Sequence, residues 1–286
     1  MEIDFIIYIL FLSSIGFIIS FIGGMVGLVL GVIRLSFILS TGLSVTESVG
    51  TNIGVSTLGA ITAAIHHIRN KNITFTIFII MALTGAIGAF YGASLTKYVE
   101  INYILILIGV IISYESYILL IKNNNRNNKK NNNNNNKKIT KKLLNINEKS
   151  IILKNDYYEI FLQSIIGLLV GILGGLVGLV LGSIRLPAMI KILKTEPKIA
   201  VGTNMLISSV MGISGFISHI ISYEFNLLYL IILGPSAMIG GFLGAKYTNH
   251  LSSIKLKKLI GIVLAMVAVT IFISAIKNFS FLFIHN

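Results

Sequence analysis

The chain has 286 residues, 55% hydrophobic and 12% charged, with a mean hydropathy of +0.87. A soluble domain carries about twice that charged fraction, so a soluble enzyme, a disulfide scaffold and a nucleic-acid-binding domain are excluded and an integral membrane protein is expected. The formal net charge of +13 is no nucleic-acid signal, because residues 122–154 hold ten Lys/Arg against one acid, Glu148.

In chain order, the acidic start Met1-Glu2-Ile3-Asp4 lacks the basic region of a signal peptide, so the first apolar segment is expected to stay in the membrane. The first half reads as apolar segments 3–22, 23–41, 46–68, 73–95 and 101–121. The stretch 3–41 is too long for one span. It has a Gly pair, Gly23-Gly24, near its middle and reads as a hairpin of two segments whose tip or break is the Gly-rich stretch, and which either crosses fully or dips in as a re-entrant element. Ser44-Val45-Thr46-Glu47 fits a capping box for the third segment. Residues 123–136 hold eleven Asn and no apolar residue, so a solvated, disordered spacer is expected. The second half reads as 157–173, 174–194, 197–221, 226–247 and 256–277, with Pro197 at a first helical turn. The domains expected are therefore a repeat over 1–121, a linker over 122–156 and a second repeat over 157–286.

The halves match at an offset of 151–152. Gly23-Gly24-Met25-Val26-Gly27-Leu28-Val29-Leu30-Gly31-Val32-Ile33-Arg34-Leu35 returns as Gly174-Gly175-Leu176-Val177-Gly178-Leu179-Val180-Leu181-Gly182-Ser183-Ile184-Arg185-Leu186. Gly50-Thr51-Asn52 returns as Gly202-Thr203-Asn204, Ser56 as Ser208 and His67 as His219. If each hairpin returns to the side it left, one side of the membrane carries nineteen Lys/Arg and the other only Lys97 and Lys277. The cationic side is cytoplasmic by the positive-inside rule. That puts the linker inside and both termini outside, and gives the repeats inverted topology in the cell membrane.

Arg34 and Arg185 are the only cations inside the apolar segments away from their ends, where Lys191, Lys194, Lys198, Lys246, Lys257, Lys258 and Lys277 lie. An arginine in hydrocarbon costs at least about 2.5 kcal/mol, so it faces a cavity, a partner or a ligand, unless it snorkels to a headgroup. Its planar donor fork matches an oxyanion. Gly27, Gly31, Gly178 and Gly182 either let freed backbone N–H groups reach an anion or serve close helix packing. Thr51, Asn52, Thr203, Asn204, Ser56 and Ser208 either solvate an anion without charge or bond between helices. His67 and His219 offer proton coupling, or are interfacial structural residues. Glu115 has no acidic mate. Zinc-site spacing, a GxSxG motif and a Walker motif are all missing from the sequence, so no cofactor or metal is expected and an intramembrane enzyme fits poorly. The expected partners are a small anion and the lipid bilayer, not nucleic acid.

The run Gly178-Leu179-Val180-Leu181-Gly182-Ser183-Ile184-Arg185-Leu186-Pro187, then Gly202-Thr203-Asn204 and a Ser-rich stretch to His219, resembles the TauE/SafE sulfite exporter family. The first half repeats it, with Gly50-Thr51-Asn52 and His66-His67-Ile68-Arg69 similar to the family's Gly-Thr-Ser and His-x-Arg elements. There are departures. The family's Gly triplet is reduced, with Val29-Leu30 and Val180-Leu181 standing before Gly31 and Gly182; Ser36 stands opposite Pro187; and the Asn-rich linker is unusual. The resemblance implies an all-α polytopic transporter of sulfite, sulfonates or related anions. The function expected is a secondary transporter of exporter type, working by alternating access. An anion channel, or a protein of this fold with an unrelated substrate, is the alternative.

The charge asymmetry generates a topology test. Single cysteines introduced in the linker should resist an impermeant maleimide in intact cells, and cysteines at either terminus should label; the reverse pattern refutes the orientation.

Overall fold

The computed structural model describes residues 2–99, 101–121, 148–178 and 181–284. Ten α-helices follow in order. The first half has α1 (Glu2–Val26), α2 (Gly31–Leu39), α3 (Val45–Arg69), α4 (Phe75–Leu95), a 3-10 turn (Thr96–Tyr98) and α5 (Ile101–Ile121). The second has α6 (Glu148–Val177), α7 (Gly182–Lys191), α8 (Pro197–Ile221), α9 (Leu227–Thr248) and α10 (Ser253–Ile284). No strand occurs among the described residues. Six stretches are long and apolar enough to cross a membrane: α3, α4, 157–177 of α6, α8, α9 and 253–273 of α10. The described residues of α1 and α5 give the shorter apolar stretches Leu10–Val26 and Ile106–Leu120. Leu83, Ile87, Leu107, Val110, Ile239 and Val269 are more than half exposed, as side chains that meet lipid should be.

The local rules acted as expected at both third helices. Ser44 caps α3 reciprocally with Glu47, and Pro197 opens α8. Of the linker expected over 122–156, residues 122–147 lie outside the described residues. Helix α6 begins at Glu148, nine residues ahead of the boundary at 157.

The hairpins differ from expectation. The second segments, expected at 23–41 and 174–194, are helical over only nine and ten residues. At 1.5 Å per residue, α2 and α7 reach about 14–15 Å, half of a bilayer core. The break falls within the Gly-rich stretch, as expected, but past the Gly pairs. Helix α1 continues through Gly23 and Gly24 and ends before Gly27, whose φ is +75°; α6 likewise ends before Gly178, at φ +71°. That left-handed backbone suits glycine. Room is also absent: a Cβ on Gly27 would lie 2.7 Å from Val201 Cα, and one on Gly178 2.9 Å from Val49 Cα. Val49 and Val201 are repeat mates, so each break rests on the first turns of the other half's third helix. The Gly pairs serve packing instead: a Cβ on Gly24 would strike the backbone of Gly241, and one on Gly175 that of Ala89.

Exchanging every helix for its repeat mate reproduces the same neighbours. Helix α1 packs on α9 as α6 packs on α4; α3 packs on α9 as α8 packs on α4. Helix α3 meets its own mate α8, and α5 meets α10. Both mate pairs run antiparallel. Gly50 faces His219, Gly212 faces Thr57 and Gly202 faces His67. In the other pair Gly109 faces Ile271, and Ser116 Oγ donates to the Gly261 carbonyl at 2.8 Å. The α1–α9 and α4–α6 pairs are parallel and touch backbone to backbone at Gly240 and Gly244, and at Gly88 and Gly92. These are small-residue contacts of the kind that hold helices together where water supplies no driving force.

Gly92→Ala and Gly244→Ala should therefore each destabilise the purified protein by about 1–3 kcal/mol, since the added methyl meets a backbone carbonyl rather than a side chain that can turn away. Gly215→Ala, with its nearest atoms at 3.7 Å, is the control and should leave thermal unfolding unchanged.

Candidate anion site

Arg34 is the fourth residue of α2 and Arg185 the fourth of α7, so each guanidinium stands on the first turn of a half-helix. The half-helices start at Gly31 and Gly182 with no side-chain cap on their backbone amides. The free N–H groups and the positive end of the helix dipole lie at the same place as the arginine. Both arginines are buried, Arg34 at 2% exposure and Arg185 at 0%.

Arg34 donates from Nε to Asn52 Oδ1 at 3.0 Å, from Nη2 to Ser56 Oγ at 2.5 Å and from Nη1 to Ser20 Oγ at 3.4 Å. Arg185 donates from Nε to Asn204 Oδ1 at 2.7 Å, from Nη2 to Ser208 Oγ at 2.6 Å and to the Asn204 carbonyl at 3.3 Å. Its Nη1 lies 2.7 Å from Met211 Sδ. Every one of these partners is neutral. The ion pairs among the described residues are elsewhere: Glu115 with Lys191, and His219 Nδ1 at 3.4 Å from Glu224 Oε2. Glu115 is thus the counter-ion of Lys191, at the C-terminal end of α7. An unpaired charge out of water costs several kcal/mol even after relaxation, so each centre presents a positive potential that its own side chains do not cancel.

Each asparagine does two jobs. Asn52 accepts from Arg34 and donates through Nδ2 to the Gly178 carbonyl at 2.8 Å. Asn204 accepts from Arg185 and donates to the Gly27 carbonyl at 2.6 Å and the Gly182 carbonyl at 3.2 Å. The helix break of each half is therefore held by the asparagine of the other. Gly31 and Gly182 sit against these amides: a Cβ would lie 3.0 Å from Asn52 Nδ2 and Ser56 Oγ at the first, and 2.5 Å from Asn204 Nδ2 at the second.

The structure thus brings Arg34, Asn52, Ser56 and Gly31 together with Gly178, and Arg185, Asn204, Ser208 and Gly182 together with Gly27. It does not bring the threonines there. Thr51 Oγ1 accepts from the Asn226 amide at 2.8 Å, and Thr203 Oγ1 from the Thr74 amide at 2.9 Å; both tie the start of the following repeat-mate helix. His67 is buried beside Gly202 and His219 beside Gly50. Neither His67 ring nitrogen has a hydrogen-bond partner, and His219 Nδ1 approaches Glu224 without hydrogen-bond alignment. Ser20 and Met211 were missed. Neither has a polar repeat mate, since Gly171 stands for Ser20 and Gly59 for Met211, so the repeat could not point to them.

Among the described residues, six helices long and apolar enough to span a membrane surround buried arginines on uncapped half-helices, and these define a multi-pass membrane protein. The sequence profile described as Sulfite exporter TauE/SafE matches residues 12–271, and the chain belongs to that family. "Probable membrane transporter protein YdhB" of Bacillus subtilis (strain 168) is 26% identical over 259 residues, covering 89% of this chain and 94% of that protein. "Probable membrane transporter protein YunE" of the same organism is 36% identical over 86 residues, 30% of this chain and 32% of that one. No solved structure matches at a significant level. The chain is a membrane transporter and not an enzyme.

Asn52→Ala and Asn204→Ala should each lower stability by about 2–5 kcal/mol, because each leaves a buried Arg Nε–H and a buried Gly carbonyl unpaired and an unsatisfied group costs about 1–3 kcal/mol. Thermal unfolding of the purified variants in detergent measures it; an unchanged midpoint would show that the cross-braces contribute nothing.

Proposed function

We propose that the protein is a secondary transporter, of exporter type, for a small sulfur-containing anion such as sulfite or an organosulfonate, and that it works by alternating access. The observation that carries this reading is the pair of buried guanidiniums whose partners are all neutral. A site that withholds its counter-charge is built for a ligand that brings one, and Arg presents a planar fork to it. The substrate class is the one in the family's description, carried to this chain as a proposal.

The antiparallel packing of mate helices supports repeats of inverted orientation in the cell membrane, and the proposal keeps the linker over 122–156 cytoplasmic and both termini external. In transporters of that plan the site lies at the repeat interface, where discontinuous helices meet. The cross-braces from Asn52 and Asn204 join the two breaks, so displacement of one repeat alters the surroundings of both arginines. Proton coupling through His67 and His219 belongs to the same proposal. Both rings are buried near the ends of α3 and α8, and His219 Nδ1 lies 3.4 Å from Glu224 Oε2.

Proteoliposomes test it. Uptake of radiolabelled sulfite, sulfate, thiosulfate, sulfoacetate and taurine is measured with and without the same unlabelled anion inside. A carrier shows uptake of at least one, accelerated by internal anion. Uptake without that counterflow would replace the carrier by a channel, and no uptake of any anion would remove the substrate class. For the transported anion, Arg34→Gln should weaken binding by about 10- to 150-fold, the equivalent of about 1.5–3 kcal/mol for a charge-assisted hydrogen bond.

A further inference from the structure

Each arginine centre adjoins a crevice, and the crevices are repeat mates built differently. The first is walled by Ser20, Gly24, Arg34, Ser56, Gly59 and Met205. It leaves about 20 Å³ for the centres of water-sized molecules, room for one or two waters. The second is walled by Ile53, Gly175, Met211 and Gly212 among others, has about 10 Å³, and neither Arg185 nor Ser208 lies on its wall.

Two differences between the halves account for this. Ser20 is replaced by Gly171, so the second crevice loses a hydroxyl. Gly59 is replaced by Met211, whose thioether lies 2.7 Å from Arg185 Nη1, where Arg34 Nη1 instead donates to the Ser20 hydroxyl at 3.4 Å. Sulfur is a weak acceptor, so this contact covers the guanidinium without neutralising it. The space for the methionine comes from the opposing helix. A Cβ on Gly85 would lie 2.7 Å from Met211 Sδ, whereas Gly59 faces Ala237, the repeat mate of Gly85. Bulk has moved across the helix contact, and among the described residues a methionine covers the arginine of the second half where the first half has Gly59.

We infer that the protein has a single anion site, the crevice at Arg34, and that Arg185 is its sealed structural copy. This rests on the anion-transporter reading. The ligand class is a compact oxyanion of a few heavy atoms, which meets Arg34 and the hydroxyls of Ser20 and Ser56. Gly23, Gly24, Gly59 and Ala60 admit close approach on one side, and Ile19, Leu28, Leu30 and Met205 close the rest of the wall and leave little space for a long organic tail. Arg185, bonded to Asn204 and Ser208 and covered by Met211, keeps α7 on α8.

The chain has no cysteine, so one introduced thiol reports access directly. Ser56→Cys and Ser208→Cys place it beside Arg34 and Arg185. The probe is the small anionic thiol reagent sulfonatoethyl methanethiosulfonate, applied to purified, monodisperse protein. Thiol reactions of this kind scale with access, and the Ser56→Cys protein should react about tenfold faster or more. Gly59→Met with Ala237→Gly, added to Ser56→Cys, transplants the plug and should slow labelling to the Ser208→Cys rate. Met211→Gly with Gly85→Ala, added to Ser208→Cys, should raise it to the Ser56→Cys rate. Equal rates in the two single-cysteine proteins overturn the inference, as do plug transplants without effect. The underlying reading fails separately: no uptake of any tested anion, with the labelling asymmetry intact, removes the substrate and leaves the single open crevice standing.

Discussion

Two asparagines hold the molecule in register. Each is gripped by an arginine of its own half and reaches with its amide to a glycine carbonyl of the other, Asn52 to Gly178 and Asn204 to Gly27. A helix that stops inside an apolar core leaves amides and carbonyls that no water can reach, and these must be satisfied by the protein. The break in one half is possible only because the other half supplies the donor. The half-helices, the arginines that ride on them and the glycines at positive φ all follow from that exchange.

The exchange also explains why so much of the chain is glycine. Breaks can be shared only if the helices carrying them come close. Gly88 and Gly92 of α4 lie on the backbone of α6, and Gly240 and Gly244 of α9 on that of α1. Close packing then sets a limit on what fits between the helices. At the contact of α3 with α9, glycine stands on α3 and alanine opposite; at the contact of α8 with α4, methionine stands on α8 and glycine opposite. A single side chain, placed on one side or the other, separates an arginine on the wall of a crevice from one covered by sulfur.

A duplicated site need not remain two sites. Both arginines retain their bonds to asparagine and serine, which are structural needs common to both halves. The surroundings that admit a ligand are a separate need and have diverged. Keeping the brace while losing the opening is the outcome expected when folding constrains both copies and binding constrains one.

The sequence by itself determined the membrane class, the duplication and the ten segments, because a bilayer demands long apolar runs and each repeat announces itself by the same glycines. It also singled out Arg34 and Arg185, since charge in hydrocarbon is conspicuous, and Ser56 and Ser208, which stand one helical turn beyond the asparagines. Other features were invisible until the chain was folded. The helix break lies at Gly27 and not at the Gly pair, because the choice depends on Val201 and Asn204, which are more than 170 residues away in sequence. Thr51 and Thr203 look like site residues by their spacing but face the amides of Asn226 and Thr74. Ser20 and Met211 gave no signal, since one is a lone serine in an apolar helix and the other an apolar residue in an apolar protein. Whether an arginine opens on a crevice or is plugged depends on which of two facing helices carries the bulk, and that pairing exists only in three dimensions.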